Sequence, residues 1–88
     1  MSHTAASIIN FHNPTNISVV IPFKGFWSIN VCNIQGTVKQ VLLNNAWVDE
    51  SVLQYQLEIS TLTTGMYMVL LRNEGNHAHW VEKFIKEA

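Results

Sequence analysis

The sequence has little of three things that stabilise or target many small proteins: paired cysteines, charge and long apolar runs. Cys32 is the only cysteine among the 88 residues, so no disulfide can form within the chain and the fold must depend on a packed core. The longest apolar runs are a handful of residues, far short of the ~20 that a membrane-spanning helix needs. Direct membrane insertion is therefore not expected.

Charge is scarce and evenly balanced. Charged residues make up 12% of the chain, with five Lys/Arg against six Asp/Glu and no basic stripe that could follow a phosphate backbone. Nucleic acid is therefore not an expected partner. With so few charges, one face of a sheet should be poorly solvated, and we expect self-association through such an apolar face.

The sequence also lacks the motifs of common catalytic and metal sites. It has no Gly-rich phosphate loop, no paired acid motif and no Gly-x-Ser-x-Gly elbow. His77 and His79 lie two apart on a predicted strand, so both rings would project from one face, and His12 could join them. A structural zinc site needs four ligands, however, and no further ligand has recognisable spacing. We expect no metal, no cofactor and no enzymatic activity.

Apolar residues alternate with a period of two along most of the chain. Strands are predicted over residues 8–11, 17–21, 27–31, 38–43, 56–59, 65–71 and 77–86. Residues 46–55 are ambiguous between a short helix capped by Asn45 and an irregular loop. About seven short strands, with turn signals every 8–12 residues or so, predict an all-β, immunoglobulin-like antiparallel β-sandwich.

Residues 57–71 are the most informative stretch and read L-x-I-x-x-L-x-x-G-x-Y-x-V-x-L. Gly65 and Tyr67 follow a polar corner, and a tyrosine so placed in a sandwich packs its ring in the core and bonds its hydroxyl to upstream backbone. We predict that these two residues form a structural corner. The opposite parity of the same strand, beginning at Met66, is also apolar and must be covered by bulky neighbours or by a partner.

Three further segments accompany this stretch. They are Asn13-Pro14-Thr15-Asn16, Ile34-Gln35-Gly36-Thr37 and Lys83-Phe84-Ile85-Lys86. In this order, and with the last segment close to the end of the chain, the sequence resembles the type A C-terminal sorting domain of type IX (Por) secretion cargo. The resemblance runs from about residue 8 to residue 86.

The resemblance implies a non-enzymatic sorting signal that directs attached cargo to the cell surface or medium after transit through the periplasm. The implied partners are the outer-membrane translocon and its processing peptidase, and the implied recognition segment is Lys83, Phe84, Ile85 and Lys86. Residues 1–7 are expected to be a flexible lead-in or linker remnant, and residues 8–88 the domain. The resemblance also implies a signal peptide on the full-length protein, and none is recognised in residues 1–7, which carry no charged or long apolar region.

An immunoglobulin-like structural or adhesive module, binding sugar or protein through aromatic side chains, is the alternative interpretation. The sequence has three tryptophans, of which at least one is expected in the core of so small a domain. Trp47, in the ambiguous segment, is the one that we expect to be most exposed.

Overall fold

A computed structural model describes residues 8–87, which form seven strands and one short 3-10 helix. The strands are β1 (Ile9–Phe11), β2 (Asn16–Val20), β3 (Gly25–Asn33), β4 (Val38–Val48), β5 (Val52–Gln56), β6 (Gly65–Asn73) and β7 (His79–Lys86). The 3-10 helix spans Ile59–Thr61, between β5 and β6. The predicted lead-in, residues 1–7, lies outside the described residues, as does Ala88.

The strands form two antiparallel sheets that pack face to face. One sheet has the order β1-β2-β5 and the other the order β4-β3-β6-β7. The prediction of an immunoglobulin-like antiparallel β-sandwich with about seven strands is confirmed. No helix within residues 8–87 is long and apolar enough to cross a membrane.

The core lies between the sheets and follows from the alternation seen in the sequence. Side chains of one parity point inward from each strand, because successive residues of a strand face opposite sides of the sheet. The fully buried side chains are Ile17, Val19, Trp27, Ile29, Val31, Val69 and Leu71. Trp27 also satisfies its indole N–H, which donates to the carbonyl of Phe23 at 3.0 Å. The core is thus mainly apolar, and the indole N–H of its tryptophan has an acceptor.

Asparagine side chains stabilise three of the turns in the same way. The Oδ1 atoms of Asn13, Asn33 and Asn73 each accept two backbone N–H groups from the residues that follow, at 2.9–3.0 Å. Short Asn side chains are common in turns because they can replace a backbone acceptor locally. In the second of these turns Gly36 has a φ of +87°, a positive value that glycine adopts without strain.

The prediction of a helix or an irregular loop over residues 46–55 is wrong. Strand β4 continues to Val48, and β5 begins at Val52 after a short bend. Asn44 and Asn45 look like a strand terminator, but both oppose Ser28 in a β-bulge, and Asn45 has a φ of +46°. The Asn45 N–H donates to the Ser28 hydroxyl at 2.9 Å, so the extra residue is tied to the neighbouring strand.

Two predicted strands have different bounds in the structure. The strand predicted over residues 56–59 lies earlier, as Val52–Gln56, because those residues pair with β2, and Ile59 begins the 3-10 helix instead. The last strand begins at His79 rather than at residue 77, because His77 has a φ of +66° and belongs to the preceding turn. The two histidines therefore do not share one face of a strand.

Candidate recognition surface

Strand β7 carries the predicted recognition segment and alternates strictly between two environments. Its exposed side chains are His79, Val81, Lys83 and Ile85, and its half-buried side chains are Trp80, Glu82, Phe84 and Lys86. The four residues of the segment therefore point in two directions. Lys83 and Ile85 face solvent, whereas Phe84 and Lys86 face the inside of the sandwich.

Phe84 closes one side of the sandwich. Its ring stacks on that of Tyr67, with centroids 5.7 Å apart, and lies 5.4 Å from the ring of Phe11 on β1. The contact with Phe11 joins the edge strands β1 and β7 of the two sheets, and the contact with Tyr67 joins neighbouring strands of one sheet. Phe84 therefore contributes to packing between the sheets, although its ring is only half-buried.

The two lysines of the segment differ in their partners. The ammonium group of Lys86 donates to the carbonyl of Ile59 at 3.1 Å and so ties the end of β7 to the 3-10 helix. Lys83 is exposed, and its ammonium group has neither a hydrogen bond nor an ion pair with any residue from 8 to 87. Of the two, Lys83 is the cation that is available to a partner.

Gly65 and Tyr67 begin β6 directly beside the end of β7. Gly65 has a φ of +153° and pairs with Lys86, and Tyr67 pairs with Phe84. The buried Tyr67 donates its hydroxyl to the carbonyl of Thr63 at 2.7 Å, with the Thr63 hydroxyl at 3.1 Å. This hydrogen bond spans the corner that precedes β6. The corner in turn positions β6, the strand that pairs with the recognition segment on β7.

A cleft of about 640 Å³ opens beside the end of β7. Its walls include the side chains of Phe11, Ile59, Phe84 and Lys86. The walls are mainly apolar and contain no nucleophile beside a base, so the cleft offers shape and apolar contact rather than chemistry.

The solvent side of the four-stranded sheet, which we call the outer face, is built from cross-strand rows. One row consists of Val38, Cys32, Met68 and Lys83, and the next of Val41, Asn30, Leu70 and Val81. Met66 and Ile85 pair beyond the first row, and Ser28, Arg72 and His79 lie beyond the second. Most of these side chains are apolar, although the solvent side of an antiparallel sheet is usually polar.

The residues considered for catalysis or metal binding lie apart from one another. His12 Nε2 lies 2.7 Å from the Ser18 hydroxyl, and His77 Nδ1 lies 2.8 Å from an Arg72 nitrogen. Residues 8–87 contain no group of three or more His, Cys, Asp or Glu side chains placed to hold a metal ion. Cys32 is buried, and burial raises the pKa of its thiol, which makes it a poor nucleophile.

The tryptophans follow the predicted division between core and surface. Trp27 is fully buried, and its ring lies 5.8 Å from that of the half-buried Trp80. Trp47 is exposed, as predicted, and meets the exposed ring of Phe26 edge to face, with an interplanar angle of 70°. Two rings at this angle do not form the flat platform on which a sugar would stack, so this pair does not favour the adhesive module.

The sequence indicated that the outward-facing residues of β6, beginning at Met66, are apolar, but it did not indicate how far the apolar outer face extends. Val38, Val41, Val81 and Ile85 extend it across β4 and β7, and all four are exposed. The available signal was the alternation in residues 79–86, where Val81 and Ile85 share one parity with Lys83. The bulges in the pairing of β3 with β4 hid the corresponding parity of β4.

Comparison with protein families gives one match that covers nearly the whole chain. The family model described as the secretion system C-terminal sorting domain matches residues 11–87, a range that contains β2 to β7 and every residue of the corner and the recognition segment. No curated protein matches the chain, and no solved structure does.

Proposed function

The chain belongs to the family of secretion system C-terminal sorting domains, and we propose that it acts by being bound, without catalysing a reaction. Domains of this family are the C-terminal sorting signals of type IX secretion cargo, and the family is not an enzyme family. The domain therefore works with the type IX secretion machinery, and the cargo attached to it is secreted to the cell surface or medium.

The single observation that carries the function is the family match over residues 11–87. In the proposal, the outer-membrane translocon reads the segment Lys83, Phe84, Ile85 and Lys86 after the domain has folded. The position of β7 at an edge of the four-stranded sheet supports this, because an edge strand offers unpaired main-chain groups and alternating side chains to a partner. Gly65 and Tyr67 would hold the segment in register.

The route of the cargo forms a further part of the proposal. Cargo would enter the periplasm by means of an N-terminal signal peptide on the full-length protein and would pass from there to the translocon. The processing peptidase would then remove the domain. The separate folding of the sandwich around its own core supports an address label of this kind, because removal would leave the cargo intact.

Self-association through the apolar outer face stays a prediction, as the alternative to docking of a different protein on that face. The apolar rows of that face support it, since contiguous exposed apolar patches often mark interaction sites. Sedimentation of the isolated domain over a range of concentrations would measure it. A sedimentation coefficient that does not change with concentration would exclude it over the range tested.

The proposed reading of β7 is tested with a secretable reporter. A signal peptide and reporter are fused ahead of the domain and expressed in a bacterium that has a type IX system, and reporter is measured in medium, surface and periplasmic fractions. Deletion from Lys83 onward would also remove the Phe84 contacts, so it cannot separate recognition from folding.

A substitution of charge alone separates them. We expect Lys83→Gln to lower export of the reporter and to leave the urea midpoint unchanged, because the ammonium group of Lys83 has no hydrogen-bond or ion-pair partner within the described residues. The matched control is Lys24→Gln, an exposed lysine in the loop between β2 and β3. Equal export of the two variants would show that the charge of Lys83 is not read.

A further inference from the structure

The outer face of the four-stranded sheet exposes more apolar surface than the solvent side of a sheet normally does. Ile85, Val41, Val81 and Met66 are 62%, 58%, 45% and 42% exposed, and cross-strand pairing connects them through half-buried Met68 and Leu70. On a monomer, a contiguous apolar patch of this kind marks a protein interaction site. The outer face therefore has the composition of an interface.

The charge in the apolar rows of the outer face is positive and is carried by Lys83. Lys83 lies between Val81 and Ile85 on β7 and directly opposite Met68, and none of the outward positions in those rows carries a carboxylate. The acids closest to Lys83 along the chain lie outside those rows, because Glu82 is half-buried with the opposite parity and Glu87 lies past the end of β7. At the Ser28 end of the face, Glu74 accepts a hydrogen bond of 2.5 Å from Ser28. Lys83 is thus an unpaired cation in an apolar surface.

From this arrangement we infer that the outer face docks onto a protein surface of apolar side chains that also carries a carboxylate to pair with Lys83. A cation buried in an apolar interface needs an opposite charge, because its desolvation is otherwise uncompensated. Within the two rows and the pair formed by Met66 and Ile85, a second copy of the domain would bring its own Lys83 and no carboxylate. A lipid surface is disfavoured as well, because the face lacks the cluster of several Lys/Arg residues that anionic membranes attract.

This inference rests on the proposed function and makes it more specific. The docked partner is a component of the secretion machinery, and it reads the recognition segment from its outward side. Lys83 and Ile85 then contact the partner directly, together with Val81 of the same strand. Phe84 and Lys86 act only as positioning residues, through the contacts that they make inside the domain.

The test uses the secretable reporter fusion with two matched pairs of variants. Val81 and Val52 are both strand valines that are 45% exposed, but Val52 lies on β5 in the other sheet. Val81→Thr should therefore lower export, and Val52→Thr should not. Lys83→Glu should lower export by about tenfold or more, because it places like charges together in the interface, while Lys24→Glu should leave it unchanged.

Two further measurements make the outcome specific. Lys83→Arg should restore most of the export lost in Lys83→Glu, since it restores the positive charge, and the urea midpoints of all variants should match that of the intact domain. The intact domain should sediment as a monomer and should not bind vesicles that contain anionic lipid.

Four outcomes would contradict the inference. Export of Val81→Thr and Lys83→Glu equal to that of their controls, with the intact fusion exported, would overturn the inference and leave the proposed function standing. A dimer that Val81→Thr abolishes would assign the face to a second copy, and vesicle binding that Lys83→Glu abolishes would assign it to a membrane. An intact fusion that is folded but not exported would overturn the proposed function itself.

Discussion

Removal of one oxygen atom tests the corner that precedes β6. The substitution Tyr67→Phe keeps the ring stacked on Phe84 but deletes the hydroxyl that donates to the Thr63 carbonyl at 2.7 Å. A hydrogen bond of this kind contributes about 0.5–1.5 kcal/mol net to stability. Because Thr63 is exposed as a residue, we expect water to reach the freed carbonyl, so that the larger penalty for a buried, unsatisfied acceptor should not apply.

We therefore expect Tyr67→Phe to lower the free energy of unfolding by about 1 kcal/mol. In a domain of this size that corresponds to a fall in Tm of about 4–8 °C. Urea unfolding followed by circular dichroism measures the change, and the slope with urea should stay constant because the exposed surface does not change.

The matched control is Tyr55→Phe. The hydroxyl of Tyr55 forms no hydrogen bond with any residue between 8 and 87, and the ring is half-buried, so the variant should lie within about 0.5 kcal/mol of the intact domain. If both variants unfold at the same urea concentration, the corner does not depend on the Tyr67 hydroxyl and the assigned role of that hydrogen bond is wrong.

Two further predictions concern backbone strain and alkaline pH. Gly65→Val should lower the free energy of unfolding by about 1–3 kcal/mol, since a φ of +153° is strained for a residue with a side chain. Gly75→Val should lower it less, because Gly75 lacks a positive φ. Equal urea midpoints for the two variants would contradict this prediction. Burial, and secondarily the charge of Glu50, raises the pKa of Tyr55 above its usual value of about 10. The neutral form of Tyr55 is then favoured in the folded state. Its contribution to stability is therefore fully present below the pKa that Tyr55 has in the unfolded chain, and it is lost as the pH rises through the higher pKa of the folded state. Urea midpoints between about pH 9 and pH 11.5 should fall more for the intact domain than for Tyr55→Phe, and parallel curves would rule out this linkage.

Alternation alone predicted the fold class and most of the strands, because both faces of the core are lined by residues of one parity. Trp27, Ile29 and Val31 are an example, and all three are fully buried. The sequence also predicted a corner at Gly65 and Tyr67, because the spacing of these two residues is a local pattern. Sequence signals of this kind do not depend on which strands become neighbours.

The errors arose where pairing between distant segments decides the conformation. Asn44-Asn45 is locally a terminator, and only the hydrogen bond to Ser28 on the neighbouring strand makes it a bulge within a continuous strand. Likewise, Leu57 and Ile59 alternate as in a strand, but pairing with β2 ends at Gln56. Local propensity is overridden in both cases by contacts that a single sequence does not display.

The candidate recognition surface was predictable in position but not in orientation. The alternation of basic and apolar residues over 83–86 indicated its position, but gave no reason to assign different roles to the four residues. The structure separates them, because Phe84 packs on Tyr67 and Lys86 bonds to Ile59, whereas Lys83 and Ile85 face solvent. That division depends on which side of β7 meets the core, and this is fixed only by the pairing with β6.

The most direct measurement of the central claim is the location of a reporter that carries a signal peptide and this domain at its C-terminal end. In a bacterium with an intact type IX system, we expect the reporter on the cell surface or in the medium. The same reporter without the domain should stay in the periplasm, as should the fusion in a strain that lacks the translocon. A folded fusion that remains periplasmic in the intact strain, or one that is released equally without the translocon, would contradict the account.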